Sequence, residues 1–183
     1  MVVLVQDAFA KARAESLLRW LDGWLAAPHH TIASFLRFDA LRLHGFQDEI
    51  LDAAACANVI IVSARGEPAV LEPVKAWAEP WLIRRRAFAG AEREIRSAGL
   101  GDPSAAQRGP EFQGVLVALL ERAGGDGASL ARAHAELREL AAEARMYFFS
   151  QVRSLQGRAE GRLDDCLPEA LFRGAGAALP WTD

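Results

Sequence analysis

The chain has 183 residues, of which 51% are apolar and 25% are charged, and its formal net charge is −3. This length and composition predict one compact domain with its own core, and they are not those of disordered, collagen-like, coiled-coil or membrane proteins. The small negative charge also argues against a protein that coats nucleic acid, because phosphate binding needs a concentrated basic face.

Cysteine and leader patterns are uninformative about chemistry. Cys56 and Cys166 form no C-x-x-C pair, so neither a zinc site nor a disulfide framework is predicted, and Cys56 is expected to be a small core residue. The N-terminal segment lacks the features of a signal peptide, and no apolar run approaches the roughly 20 residues of a membrane span. We therefore expect a cytoplasmic protein. The excess of Arg over Lys, 19 against 2, and the 36 Ala are typical of a GC-rich bacterial genome.

The first third of the chain alternates between strand and helix patterns. Val2–Val5 is a short apolar run, typical of a strand that is buried on both faces. Helical spacing follows over residues 9–27, and Pro28 ends the predicted helix. Residues 31–38 predict a second strand at the edge of a sheet, and residues 47–57 predict a short amphipathic helix.

The same alternation continues to residue 113. Residues 58–63 hold four successive β-branched residues and no charge, which predicts a central parallel strand. A third helix is expected to begin near Val70 and to be kinked or ended by Pro80. Residues 87–113 are rich in Gly, Ala, Arg, Ser and Pro and are predicted to be an irregular insertion.

The last third contains two more predicted strands. Residues 115–120 predict the fourth strand, and a helix capped by Ser129 follows it. Residues 146–152 predict the fifth strand. We expect one domain over residues 1–152 and an irregular C-terminal extension over residues 153–183, where Gly and Pro interrupt the pattern.

Five strands that alternate with helices predict a doubly wound α/β fold, a three-layer sandwich, because each parallel connection needs a crossover. Right-handed crossovers give a five-stranded parallel sheet of order 2-1-3-4-5. This order of elements resembles the flavodoxin-like fold and, more loosely, the receiver domains of bacterial response regulators.

The resemblance implies functional residues that this chain only partly holds. Receivers imply an acidic residue after the first strand, a phosphoacceptor Asp at the end of the third strand and a Lys after the fifth. In this chain Asp7 matches the acidic position after the first strand. Ser63 or Ala64 takes the acceptor position, and no Lys follows the fifth strand. Flavodoxins imply a phosphate loop rich in Ser, Thr and Gly, which residues 6–11 do not match. No catalytic residue, metal or cofactor is therefore predicted.

Ligands of open α/β sheets bind beyond the carboxyl ends of the strands where the winding reverses, here between the first and third strands. The candidate ligand site at this place comprises Asp7, Ser63, Arg65 and Gly66. Arg65 would hold an anion, with Gly66 allowing close approach and Asp7 ordering the guanidinium. The alternative is that Arg65 is a solvated loop charge and Gly66 only turns the chain.

Arg84, Arg85 and Arg86 form a second candidate site, a patch for an acidic partner or a phosphate-bearing ligand; the alternative is a solvated helix end. His134, on an apolar stripe, is expected to be structural. The paired tryptophans at 20 and 24 and at 77 and 81 favour core packing, with a self-association surface as the alternative.

Two functions remain open. The first is a non-enzymatic receiver-like or flavodoxin-like module that binds a protein partner, forms a homodimer or senses an anionic small ligand. The second is a small nucleotide- or flavin-dependent oxidoreductase or transferase with an atypical site at Asp7, Ser63 and Arg65. Nucleic acid and membranes are not expected partners in either case.

Overall fold

The computed structural model describes residues 1–24, 33–42, 47–98, 114–122, 127–154 and 159–160. None of the described helices combines the length and the hydropathy that a membrane span needs. The elements, in chain order, are β1 (Val2–Val5), α1 (Ala8–Trp24), β2 (Ser34–Arg37), a 3-10 turn (Ala40–Arg42), α2 (Gln47–Ala55), β3 (Val59–Arg65), α3 (Pro68–Ala98), β4 (Val115–Arg122), α4 (Gly127–Glu143), β5 (Tyr147–Ser154) and β6 (Ala159–Glu160).

The strands form one sheet with the order β2-β1-β3-β4-β5-β6. The first five are parallel to one another, which confirms the predicted order 2-1-3-4-5 with the second strand at the edge. β6 was not predicted, since it has only two residues and no apolar run, and it pairs antiparallel with β5. Of the predicted extension, residues 153 and 154 belong to β5, and residues 155–158 and 161–183 lie outside the described residues.

Helices cover both faces of the sheet, as the three-layer α/β prediction requires. α1 lies on one face, in a layer that includes Val3, Val5, Ala10, Ala14, Leu17, Ile61 and Leu119. α2, α3 and α4 cover the other face, over a larger core that includes Leu4, Ile60, Val62, Leu71, Trp77, Trp81, Leu116 and Leu137. Because side chains alternate along a strand, Ser63, Arg65 and Glu121 lie on the α1 side of the sheet.

α3 is longer than the sequence analysis predicts. It continues from Pro68 to Ala98, so the prediction of an irregular segment over residues 87–113 is wrong for residues 87–98, and residues 99–113 lie outside the described residues. Ala, Glu and Arg dominate residues 87–98 and are strong helix formers, and they outweigh the single Gly90, which costs about 1 kcal/mol in a helix.

Pro80 does not end α3, so of the two expected effects of this proline only a kink stays a prediction. A proline inside a helix removes one hydrogen bond and costs about 3 kcal/mol or more. Trp77 and Trp81, on either side of it, are almost fully buried and stack with their ring centroids 5.2 Å apart. Burial of two large aromatic side chains offsets that cost, since each removes a large apolar area from water.

Three smaller expectations can be compared with the structure. Cys56 is exposed and is not a core residue; it lies directly after the last residue of α2. Ser129 lies inside the first turn of α4, which begins at Gly127, so it is not the N-cap. His134 Nε2 lies 2.9 Å from Ser150 Oγ, and its ring meets Phe148 edge to face, so the histidine joins α4 to β5.

Candidate functional site

The carboxyl ends of the parallel strands bring a row of charged residues together. Arg65 of β3 is opposite Glu121 of β4, and Glu121 is opposite Arg153 of β5. Paired residues of neighbouring strands project from the same face of a sheet, so all three lie on the α1 side. Two cations therefore flank one carboxylate at this edge.

Arg13 reaches this row from α1. Its Nε donates to Ser63 Oγ at 3.1 Å, its Nη2 donates to the carbonyl oxygen of Ala64 at 3.2 Å, and its Nη1 lies 3.6 Å from Glu121 Oε2. The side chain is only 12% exposed. Burial lowers the pKa of the Arg13 guanidinium; the carboxylate of Glu121 opposes this shift, and Arg153 adds to it.

Arg13 was not among the candidate residues that the sequence suggested. A signal was present: Arg13 follows Ala10 by three residues and precedes Leu17 by four, and both of these residues are buried. Residues at these spacings share one helix face. An arginine on that face needs buried partners, and the ends of β3 and β4 supply them.

Ser63 is fully buried and its hydroxyl is used twice. Ser63 Oγ donates to the carbonyl oxygen of Ala10 at 2.8 Å and accepts the hydrogen bond from Arg13. The hydroxyl therefore ties α1 to β3. No part of it faces solvent, so a ligand at the edge of the sheet does not reach it.

Asp7 and Gln6 also serve the fold. Asp7 Oδ1 accepts a hydrogen bond from the backbone N–H of Ala10 at 2.9 Å, which makes Asp7 the N-cap of α1. Gln6 Oε1 accepts the backbone N–H of Arg65 at 2.9 Å, and the N–H of Gln6 donates to the carbonyl oxygen of Ser63. The side chain and the backbone N–H of Gln6 thus both bind β3, and they join the end of β1 to the end of β3.

Gly66 has a packing reason to be glycine. Its N–H donates to the carbonyl oxygen of Glu121 at 2.8 Å, and a Cβ at this position would lie 2.2 Å from Leu130 Cδ1. The Leu130 side chain therefore occupies the space that a Cβ at position 66 would need, while the backbone of α4 lies at an ordinary contact distance of 3.4 Å. The amide that was predicted to face a ligand is hydrogen-bonded within the sheet.

We expect Gly66→Ala to lower the free energy of unfolding by about 1–3 kcal/mol, the usual cost of overpacking. The same substitution in a Leu130→Ala background should cost much less, since the clashing methyl group is then absent. Urea denaturation of the four proteins of this double-mutant cycle measures the difference. Equal costs in the two backgrounds would contradict the packing explanation.

Arg65 differs from the other candidate residues because its side chain is exposed and has no hydrogen bond or ion pair with a described residue. Arg153 is exposed as well. Of the candidate ligand residues, Ser63 and Asp7 are engaged within the domain and Gly66 is packed against α4. The Arg65 guanidinium is the group of this set that remains open to an anion.

The arginines of the second candidate site point to different surroundings. Arg84 forms ion pairs with Asp48 and Asp52 of α2, and its hydrogen bond to Asp52 raises the pKa of Arg84. Arg85 is buried, and its Nη1 donates to the carbonyl oxygens of Ala55 at 3.2 Å and Ala57 at 3.0 Å.

The Arg85 guanidinium also lies 5.7 Å from the centroid of the Trp81 ring, and burial lowers its pKa. Arg86 is exposed. The structure therefore does not bring the three side chains together into one surface patch. Consecutive residues of a helix diverge by about 100°, which explains the separation.

No group of three or more His, Cys, Asp or Glu residues with the arrangement of a metal site occurs among the described residues. Searches for similar proteins found no match: no protein-family model, no curated protein and no solved structure resembles the chain at a significant level. The sheet order is consequently what relates the chain to flavodoxin-like folds, and its function has to be argued from its own residues.

Proposed function

We propose that the chain is a non-enzymatic, flavodoxin-like module of the bacterial cytoplasm that acts by contact with a protein or by sensing an anionic ligand. One observation carries this proposal: the hydroxyl and the carboxylate among the candidate residues at the carboxyl edge are engaged within the domain. The Ser63 hydroxyl binds Ala10 and Arg13, and Asp7 caps α1. Acid–base or nucleophilic catalysis needs such groups free to reach a substrate.

Absorbance and thermal denaturation distinguish this proposal from a flavin- or nucleotide-dependent oxidoreductase or transferase. We expect no flavin band in the purified chain and no rise in Tm with FMN, NAD(P) or ATP. A ligand at about 100 times its Kd stabilises the native state by about 2.7 kcal/mol, which raises the Tm of a chain of this size by roughly 5–10 °C. A rise of that size with any of the three would favour the enzyme.

Ser63 favours one version of this proposal, a receiver-like module that signals without phosphorylation. We expect no acyl phosphate after incubation with acetyl phosphate and Mg²⁺, because the buried Ser63 hydroxyl supplies neither the carboxylate nor the metal ligand of a phosphoacceptor. Intact-mass spectrometry measures the adduct. A stoichiometric phosphate on Asp7 would overturn this expectation.

The ligand-sensing form of the proposal rests on Arg65. An anion at the carboxyl edge would bind the exposed Arg65 guanidinium, with Arg153 on the other side of Glu121. Arg65→Ala should weaken such binding by about 1.5–3 kcal/mol and leave the free energy of unfolding within about 0.5 kcal/mol. Calorimetry with phosphate and sulfate tests this, with Arg19→Ala as the control for an exposed arginine. Unchanged affinity would return Arg65 to the role of a solvated charge.

A further inference from the structure

A cleft lies at the end of the sheet opposite the carboxyl ends of the parallel strands, between the second half of α3 and the end of α4. Its volume is about 240 Å³, enough for a small organic molecule. Leu82 and Ala144 supply buried apolar surface, and Arg85, Arg86, Glu143 and Arg145 supply the charges. Both helices belong to the layer that packs on the larger core, so the cleft is formed by rigid elements.

The charges of this cleft are not neutralised by one another. Arg86 and Arg145 are exposed, and neither side chain has an ion pair or a hydrogen bond with a described residue. Glu143 is exposed too and forms no ion pair with them. Arg85 lies behind and is held in place by its bonds to the end of α2. Arg86 and Arg145, set against the single carboxylate of Glu143, leave an excess of positive charge in the cleft, and the bonded Arg85 adds to it.

Arg145 is retained where the backbone favours glycine. Its φ is 53°, in the left-handed region, and it is the one non-glycine residue of the described chain with a positive φ. Its N–H donates to the carbonyl oxygen of Ala142, and the N–H of Met146 donates to that of Ala141, which is a Schellman motif that ends α4.

Left-handed backbone costs an arginine more than a solvated cation gains from the helix dipole. The side chain is exposed, so packing does not explain the choice either. The Schellman motif therefore accounts for the left-handed backbone, where glycine would cost less, and no described contact accounts for an arginine at the edge of the cleft.

We propose that this cleft binds a small molecule through a compact oxyanion, the phosphate or carboxylate group that Arg86 and Arg145 recognise together. Guanidinium groups form charge-assisted, often bidentate hydrogen bonds with both kinds of oxyanion. The buried Arg85 adds positive potential behind the two exposed groups. This site goes beyond the proposed function and does not depend on Arg65.

The test is calorimetric titration of the full chain with inorganic phosphate and with succinate, at constant ionic strength balanced with chloride. We expect saturable binding of at least one of them, and the tighter of the two identifies the oxyanion. Arg86→Gln and Arg145→Gly should each weaken it about 10-fold or more, the effect of one lost charge-assisted hydrogen bond. Arg145→Gly should bind less tightly and yet show a higher Tm, a combination that a loss of folding cannot produce.

Arg138→Gln is the matched control, since Arg138 is an exposed arginine of α4 that does not contribute to the cleft. It should leave the affinity unchanged, and Arg65→Ala should not alter the component of binding that the two cleft variants weaken. Absence of saturable binding at millimolar phosphate and succinate would overturn the inference. Retention of affinity in both cleft variants would overturn it too, and loss in Arg65→Ala instead would assign the anion to the carboxyl edge.

Discussion

Gly114→Ala should lower the free energy of unfolding by about 2–5 kcal/mol, because the substitution combines backbone strain with a clash. Gly114 has a φ of 135°, a conformation that L side chains rarely adopt. An added Cβ would lie 2.4 Å from the carbonyl oxygen of Asn58. That carbonyl accepts the N–H of Val115 at 2.8 Å at the start of the β3–β4 pairing, so it cannot move aside without breaking a hydrogen bond of the sheet.

Gly90→Ala is the matched control for this prediction. Gly90 lies inside α3, and a Cβ there would meet no atom within 4 Å. Alanine is favoured over glycine in a helix, so this variant should be more stable than the parent by about 0.5–1 kcal/mol. Urea denaturation followed by circular dichroism measures both changes. Effects of the same sign would show that the environment of Gly114 is more open than its contacts indicate.

Arg13→Met should lower the free energy of unfolding by about 2–3 kcal/mol, since it removes the fork that joins α1 to the ends of β3 and β4. Methionine keeps most of the apolar length of the side chain, so the loss reports the polar contacts. The Ala64 carbonyl oxygen loses the donor that Arg13 provides, and the Ser63 hydroxyl keeps only its bond to Ala10.

Two further variants make the Arg13 prediction specific. Arg19→Met changes an exposed arginine of the same helix and should stay within about 0.5 kcal/mol of the parent. Arg13→Lys keeps the charge and loses the fork, so it should recover only part of the stability. If Arg13→Met were no more destabilising than Arg19→Met, the Arg13 contacts would contribute nothing to the fold.

Arg13 and Arg65 show why the candidate site was only partly predictable. Arg65 could be placed at the carboxyl edge from the sequence, because it follows the most β-like segment of the chain, residues 58–63. The partners of Arg13 are 50 residues or more away in sequence, at Ser63 and Ala64. No local sequence pattern predicts contacts over this separation, since these contacts depend on where α1 crosses the sheet.

The fold class was determined by the sequence alone. Apolar runs too short for helices, separated by helical spacing, predict parallel strands joined by crossovers, and right-handed crossovers leave a few strand orders, of which 2-1-3-4-5 is one. These are local properties of composition and period, so they can be read without coordinates. The length of α3 also depends on local sequence. It was not predicted, because Gly90 and Pro80 were given more weight than the helix-forming residues around them.

The tertiary structure alone decided what individual polar residues do. Gly66 is glycine because Leu130 of another helix lies against it, and Asp7 caps its own helix where the sequence suggested a partner for Arg65. Arg85 is buried over Trp81, while its neighbours in the sequence are directed to α2 and to the cleft beside Arg145. Hydrogen bonds and close contacts depend on positions within a few tenths of an ångström, and packing between elements distant in sequence sets those positions.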